Sequence, residues 1–481
     1  MGVPSLVNLA PAVLTLLLAN PTVSVATAEP LLLDLTVTAE DLQAPLLAAA
    51  DLGGETVTAA TANTRVPLSR ALLDLYDAFD LDLSHNQQAR MMRTARSLDP
   101  TLQAALAPLV VAMAASHRLA ATELVGINAG ELRAACDERD PLGPNNVALA
   151  DQLDRAPFVN GGLKMLAAAE TALPLLHEAK APRAAPFALD PHGLVVVAGE
   201  ANSRVPAAAT SALLYVDLGG DDTYRGATGS AGCVAGPGPI DFTAANSRLF
   251  IDLDGDDFYQ APEESHHSQG TGHHAVGVHI DVAGDDRYFS LLFGIGYGET
   301  AGVGIVVDLD GTDLYALSAW GQGAGTLEGI GILADGGGSD RYTGFEGIHV
   351  GKWGQQGVGM FSGVGLLLDA GGGGDRYRTR EAAGIDCKCQ GASYDFGVGV
   401  LVDRGGNDYY GTNRGRATVI LGGATAQTNG GAAYFLDLGG LDSYNGTSSG
   451  DNNDVWGRGI GATFIERGQD CAPPATPCTI L

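Results

Sequence analysis

Residues 302–315 read Gly-Val-Gly-Ile-Val-Val-Asp-Leu-Asp-Gly-Thr-Asp-Leu-Tyr. Side chains alternate along a strand, so Val303, Ile305 and Val307 share one face while Gly302, Gly304 and Asp308 share the other. The apolar face reads as core. After Asp308 come residues suited to a tight turn, because glycine reaches positive φ and Asp side chains bond their own backbone.

The same unit recurs through the chain. Asp217…Asp222-Thr-Tyr224 is followed by Asp252…Asp257-Phe-Tyr259, Asp281…Asp286-Arg-Tyr288, Asp308…Asp313-Leu-Tyr315 and Asp335…Asp340-Arg-Tyr342. Asp369…Asp375-Arg-Tyr377, Asp403…Asp408-Tyr-Tyr410 and Asp437…Asp442-Ser-Tyr444 complete eight copies, whose first aspartates are spaced by 35, 29, 27, 27, 34, 34 and 34 residues. Gln322, Gln356 and Gln390 precede the next first Asp by 13 residues and Gln269 does so by 12. Each unit therefore reads as strand, acidic turn, strand, Gln-Gly corner, strand. A unit this short cannot bury its own apolar face, so copies must stack on one another. The expected fold is a parallel β-solenoid of about eight coils over 191–460, with a propeller disfavoured because a blade takes roughly 40 or more residues.

The rest of the chain is different in kind. Of 68 glycines, 10 lie in residues 1–210 and 56 in 211–460. Leu68, Leu72, Leu75, Tyr76, Phe79 and Leu83 recur at helical spacing. Asp99-Pro100 reads as a helix N-cap and first turn leading toward Val125, bent at Pro108. A further helix is expected over Leu163–Lys180, and Ala181–Pro191 reads as a linker, so 29–190 is expected to be an α-helical domain. The apolar run 4–19 followed by Ala26-Thr27-Ala28 reads as a signal peptide over 1–28, and 461–481 as a tail in which Cys471 and Cys478 pair. No later stretch reads as long and apolar enough to span a membrane.

Composition narrows function. With 27 Lys+Arg against 56 Asp+Glu the net charge is −29, which argues against nucleic acid or an anionic membrane as partner. Six cysteines in a chain expected to be secreted, periplasmic or on the cell surface are read mainly as disulfide formers.

Stacked aspartates need compensation. Unit charges about 4.8 Å apart repel by about 0.9 kcal/mol in water and about 3.5 kcal/mol at an effective dielectric of 20. Turn N–H donors, the adjacent Arg287, Arg341 and Arg376, or bound cations can supply it. Oxygen-rich Asp/Gly turns suit Ca²⁺; Asp252, Asp254, Asp256 and Asp257, and Asp308, Asp310 and Asp313, are the calcium candidates. His266, His267, His273, His274 and His279 form a dense imidazole segment that suits a transition metal. Trp320, Trp353 and Trp456 recur in the repeat, either as core caps or as a stacking platform for sugar rings. The glutamates that break the repeat, Glu263, Glu264, Glu299, Glu328 and Glu346, are the places to look for catalysis.

The turns resemble the Gly-Asp nonapeptide calcium repeats of RTX-type β-rolls, although here a turn occurs once per unit. Residues 211–460 are more similar to secreted bacterial proteins with D-x-G-G-x-D-x-Y and Q-G-x-G repeats; that resemblance implies architecture and export. The expected function is an exported surface or matrix structural and binding module, calcium-stabilised, with glycans or matrix components as partners. The alternative is a carbohydrate-active enzyme, a polysaccharide lyase or glycoside hydrolase, on a β-helix scaffold.

Overall fold

The computed structural model describes residues 39–411 except 139, 183–185, 234–246, 261–266, 345–353, 379–389 and 395, and beyond them only the strand segments 417–418, 432–437, 443–444 and 462–466. The signal segment, the Cys471–Cys478 pairing, Cys387, Cys389, His266, Trp353, Trp456, Glu263, Glu264 and Glu346 lie outside the described residues.

The protein is mixed α/β with long parallel sheets. Its helices are α1 (Ala39–Leu52), α2 (Leu68–Ala78), α3 (His85–Ser97), α4 (Pro100–Glu123), α5 (Ala129–Cys136), α6 (Pro144–Ala150), α7 (Ala156–Glu178) and the short α8 (Ala207–Thr210). Asp99 caps α4 by accepting from the Thr101 and Leu102 N–H groups, and the helix runs on through Pro108. The expectation that nothing here is long and apolar enough to span a membrane fails for α4, whose 24 residues meet that test, but most of its apolar stretch is buried, so its apolarity serves the core.

Successive repeats contribute successive strands to three sheets. An eleven-stranded sheet follows chain order from Phe187–Ala188 to Ala462–Glu466; a nine-stranded sheet carries the tyrosines; a six-stranded sheet starts at Gly272–His273. Among the described strands all pairings are parallel except the first, where Phe187 and Ala188 pair antiparallel with Val197 and Val196. The expected linker thus ends as an edge strand. Register is unbroken across repeats: Asp281 pairs with Asp308, Asp308 with Asp335, Asp335 with Asp369, Asp369 with Asp403 and Asp403 with Asp437.

The face read as core from the sequence is core, and the opposite face is buried as well. Val303, Ile305 and Val307 point toward the helices and join one hydrophobic cluster that runs from Leu42 through α1, α2, α4 and α7 to Leu436. Val306 and its equivalents Leu333, Leu367 and Leu401 pack with the tyrosines in a second cluster, on the side shared by the aspartates. Both faces are buried, as parallel sheets require. Gly161 and Gly162 let α7 lie on the sheet: a Cβ on Gly161 would fall 3.2 Å from Val276 Cγ2, and one on Gly162 2.9 Å from Leu46 Cδ2 and 3.6 Å from Val303 Cγ1. Arg155, at the start of α7, adds polar ties by donating to the Ser362 carbonyl at 3.1 Å and to Glu55 Oε1 at 2.8 Å.

Candidate acid ladder and metal centre

Each of the seven repeats from Asp217 to Tyr410 buries two aspartates and one tyrosine. The tyrosines form one stack: Tyr224, Tyr259, Tyr288, Tyr315, Tyr342, Tyr377 and Tyr410 have successive ring centroids 4.7–5.0 Å apart. The corner glutamines brace it. Gln322 Nε2 donates to the Tyr315 carbonyl at 2.9 Å, Gln356 to that of Tyr342 at 3.0 Å and Gln390 to that of Tyr377 at 3.1 Å. Their backbones sit at φ of 51°, 61° and 59°, left-handed values that turn the chain and cost a non-glycine residue roughly 1 kcal/mol or more.

The second aspartates hold the main chain together. The N–H of Asp257 donates to Asp286 Oδ1 at 2.6 Å, that of Asp286 to Asp313 Oδ1 at 2.7 Å, that of Asp313 to Asp340 Oδ1 at 2.7 Å and that of Asp340 to Asp375 Oδ1 at 2.6 Å. Each carboxyl therefore ties its own repeat to the preceding one.

The first aspartates meet the phenols, and here protons must be counted. The Tyr315 hydroxyl lies 3.0 Å from Asp308 Oδ2 and 2.7 Å from Asp335 Oδ2. Tyr377 stands 2.7 Å from Asp369 Oδ2 and 2.9 Å from Asp403 Oδ2. Tyr224 bridges Asp217 Oδ2 at 2.7 Å and Asp252 Oδ2 at 2.5 Å. A phenol has one proton to donate, whereas an ionised carboxylate has none. Each bridge can hold two hydrogen bonds only if one of its carboxyls is protonated.

Electrostatics points the same way. Burial first, then the neighbouring carboxylates, push Asp257 and Asp286 up to about 9 and Asp313 up to about 10. Burial raises Asp308 only to about 6, because Tyr288 and Tyr315 donate to its charged form. Within a repeat the two carboxyls are also close enough to hydrogen-bond each other, as at Asp217 with Asp222 and Asp281 with Asp286. Two carboxylates sharing one site keep a proton between them. Arg287, Arg341 and Arg376 do not compensate them: they are exposed, pointing away from the buried tyrosines that follow.

Tyr315→Phe removes the donor between Asp308 and Asp335 while leaving the ring stack intact. The expected cost is about 1–3 kcal/mol, read by urea unfolding at pH 7. An unchanged midpoint would mean that this phenol bonds nothing of consequence.

The seven calcium candidates are not brought together as one set per turn. Asp252, Asp257, Asp308 and Asp313 are interior, Asp310 is half-buried, and Asp254 and Asp256 are exposed. Asp256 Oδ1 instead accepts the Asp285 N–H at 3.0 Å on the outer side of the turns. The compact carboxylate groups join adjacent repeats: Asp257, Asp281 and Asp286; Asp286, Asp308 and Asp313; Asp313, Asp335 and Asp340. In the first of these Asp281 Oδ1 and Asp286 Oδ2 are buried without a conventional donor. Sequence reading missed these groups because their members come from different copies; the column register was the signal that could have found them.

The histidines separate into two places. His279 lies against Phe250, Tyr259 and Tyr288 and contacts Thr228 Oγ1 at 2.9 Å. His267, His273 and His274 sit instead around a disulfide between Cys136 of α5 and Cys233. Nothing in the cysteine spacing singled out that pairing across 97 residues. Trp320 is 8% exposed and packs with Phe293, Tyr297 and Met360, so it is a core residue without an open face for a sugar ring. Glu299 is buried beside His273, where desolvation lifts it to about 8. Glu328 lies at a corner with φ 63°.

No family model, curated protein or solved structure matches this chain.

Proposed function

We propose that the chain is an exported structural and binding module, in which residues 191–460 form a parallel β-solenoid of about eight coils roofed on one face by the N-terminal helices. The observation that carries this reading is where the repeat spends its chemistry. Its carboxyls, phenols and corner amides bond one another and the backbone of adjacent copies, inside the protein. A carbohydrate-active enzyme needs a carboxyl pair open to substrate; among the described repeat-breaking glutamates, Glu299 is buried and Glu328 is half-buried. The disulfide supports an oxidising destination.

Exposed turn carboxylates, among them Asp221, Asp254, Asp256 and Asp285, give the module an acidic edge. That edge suits cation-bridged contact with acidic glycans or other matrix components. Calcium also serves inside, at the triads that span adjacent repeats, once their protons leave. Three carboxylates fall short of the six to eight oxygens that calcium prefers, so protons are the first choice at neutral pH.

The test incubates the purified full chain with cell-envelope fractions and with a panel of soluble polysaccharides, with and without Ca²⁺. Retention on the envelope without new reducing ends or unsaturated sugars is expected. Depolymerisation of any polysaccharide, or no retention on any fraction, would overturn the proposal.

A further inference from the structure

The cluster around Cys136 and Cys233 has no part in the acid ladder. It lies where helices α5 and α6 meet the first strands of the six-stranded sheet. Two sets of potential ligand atoms, each within 4.8 Å of one another, share Cys233: one is Cys136, Cys233 and His274, the other Cys233, His267 and His273. His273 Nδ1 stands 3.1 Å from Cys233 Sγ and 3.3 Å from His267 Nε2. His274 is 1% exposed, and neither of its ring nitrogens has a hydrogen-bond partner. A buried imidazole without partners is costly.

A supporting shell sets one tautomer. Asn146 Nδ2 donates to the Asp140 carbonyl at 3.3 Å, which turns Asn146 Oδ1 toward His273 Nε2 at 3.1 Å. His273 therefore donates Nε2–H to that oxygen and keeps a lone pair on Nδ1, aimed at Cys233. Metal-bound histidines are held this way, with the far N–H fixed by an acceptor.

We propose that this cluster is a thiol-gated zinc site: a disulfide when oxidised, and when reduced a tetrahedral centre of Cys136, Cys233, His273 and His274, with His267 behind His273. Zinc bond lengths of about 2.3 Å to sulfur and 2.0–2.1 Å to nitrogen place tetrahedral ligands about 3.4–3.8 Å apart. Within each set the ligand atoms already lie within 4.8 Å of one another, and Cys233, common to both, is the sulfur that would bring His273 and His274 to one ion once the disulfide opens. A dithiol reductant supplies the two electrons and two protons that cleave the S–S bond, and it leaves as its own disulfide. Zn²⁺ then replaces the two thiol protons, and two thiolates balance the charge of the ion. Both cysteines are partly exposed, which gives a reductant access. In either state the centre joins the helices to the repeat, by a covalent bond or by the metal.

The experiment uses the full chain with Cys387, Cys389, Cys471 and Cys478 changed to Ser, so that only this pair can respond. Co²⁺ serves as spectroscopic probe and Zn²⁺ as competitor. The reduced chain is expected to take up one Co²⁺, with a thiolate-to-cobalt charge-transfer band and the visible bands of tetrahedral cobalt, all displaced by one equivalent of Zn²⁺; the oxidised chain is expected to show none. His274→Ala should weaken Zn²⁺ binding at least about ten-fold, and C136S/C233S should abolish the thiolate band. Circular dichroism and a thiol titration confirm that each sample is folded and reduced. A folded chain with two free thiols and no thiolate–cobalt band would overturn the proposal, as would unchanged affinity in both H273A and H274A.

Discussion

In chelator, the melting temperature falls as pH rises from about 5 to 9.5, the reverse of acid denaturation. The sign follows from which state holds the protons. Asp257, Asp286 and Asp313 titrate at about 9, 9 and 10 in the folded chain and near 3.9 when unfolded. Their contribution is complete below the unfolded value and is lost as pH climbs through the folded values. Each proton held only by the folded chain contributes a slope of about 1.4 kcal/mol per pH unit, so two such protons remove about 5 kcal/mol over two units. That rivals the whole stability of many domains, about 5–15 kcal/mol.

Buried histidines oppose this slope at the acid end. Burial holds His274 at about 4 and His279 at about 3, so the stability they confer is present above about 6.5 and is lost as pH falls. The decline is therefore shallow below about pH 6.5 and steep above it. Ca²⁺ should restore part of the melting temperature at pH 9 and change little at pH 5. An unchanged transition in Ca²⁺ at pH 9 would remove calcium from the interior.

Gly331→Ala is expected to cost about 3 kcal/mol or more, and at growth temperature the variant is expected to be largely insoluble. A Cβ there would lie 1.8 Å from the Ala324 carbonyl oxygen and 2.4 Å from its carbon. Backbone cannot swing aside as a side-chain tip does. Gly277, Gly304, Gly365 and Gly399 stand in the same column, each blocked at 1.8–2.2 Å by the corner carbonyl of its own repeat. Beyond these five glycines the column continues as Arg248 and Ala433. Gly372→Ala is the control: a Cβ there meets nothing within 4 Å, and its effect should stay within about 0.5 kcal/mol. Equal solubility and equal urea midpoints for the two variants would contradict this packing.

These two predictions mark what could be read from the sequence. Period and alternation were enough to expect like residues above like, because a short strand with one residue type at each position can repeat only by stacking. The Val303, Ile305 and Val307 face was legible as core, but the burial of the opposite face was not: that Asp308 and Val306 are also enclosed depends on how the tyrosine-bearing sheet packs against this strand. The division of the calcium candidates was not legible for a related reason: Asp254 and Asp256 are chemically the same as Asp252 and Asp257, and only the path of the turn sends one pair outward and the other inward. The metal-prone sulfurs come from Cys136 and Cys233, whose meeting depends on how α5 docks, and no local spacing encodes that.

The shared proton is most directly seen by infrared spectroscopy of chain carrying ¹³C-carboxyl aspartate, in chelator at pH 7. Protonated aspartic acid should appear as an isotope-shifted carbonyl stretch that persists at pH 7 and vanishes as the protein is taken above pH 10. A spectrum at pH 7 containing only ionised aspartate, from protein that is still folded, would contradict it.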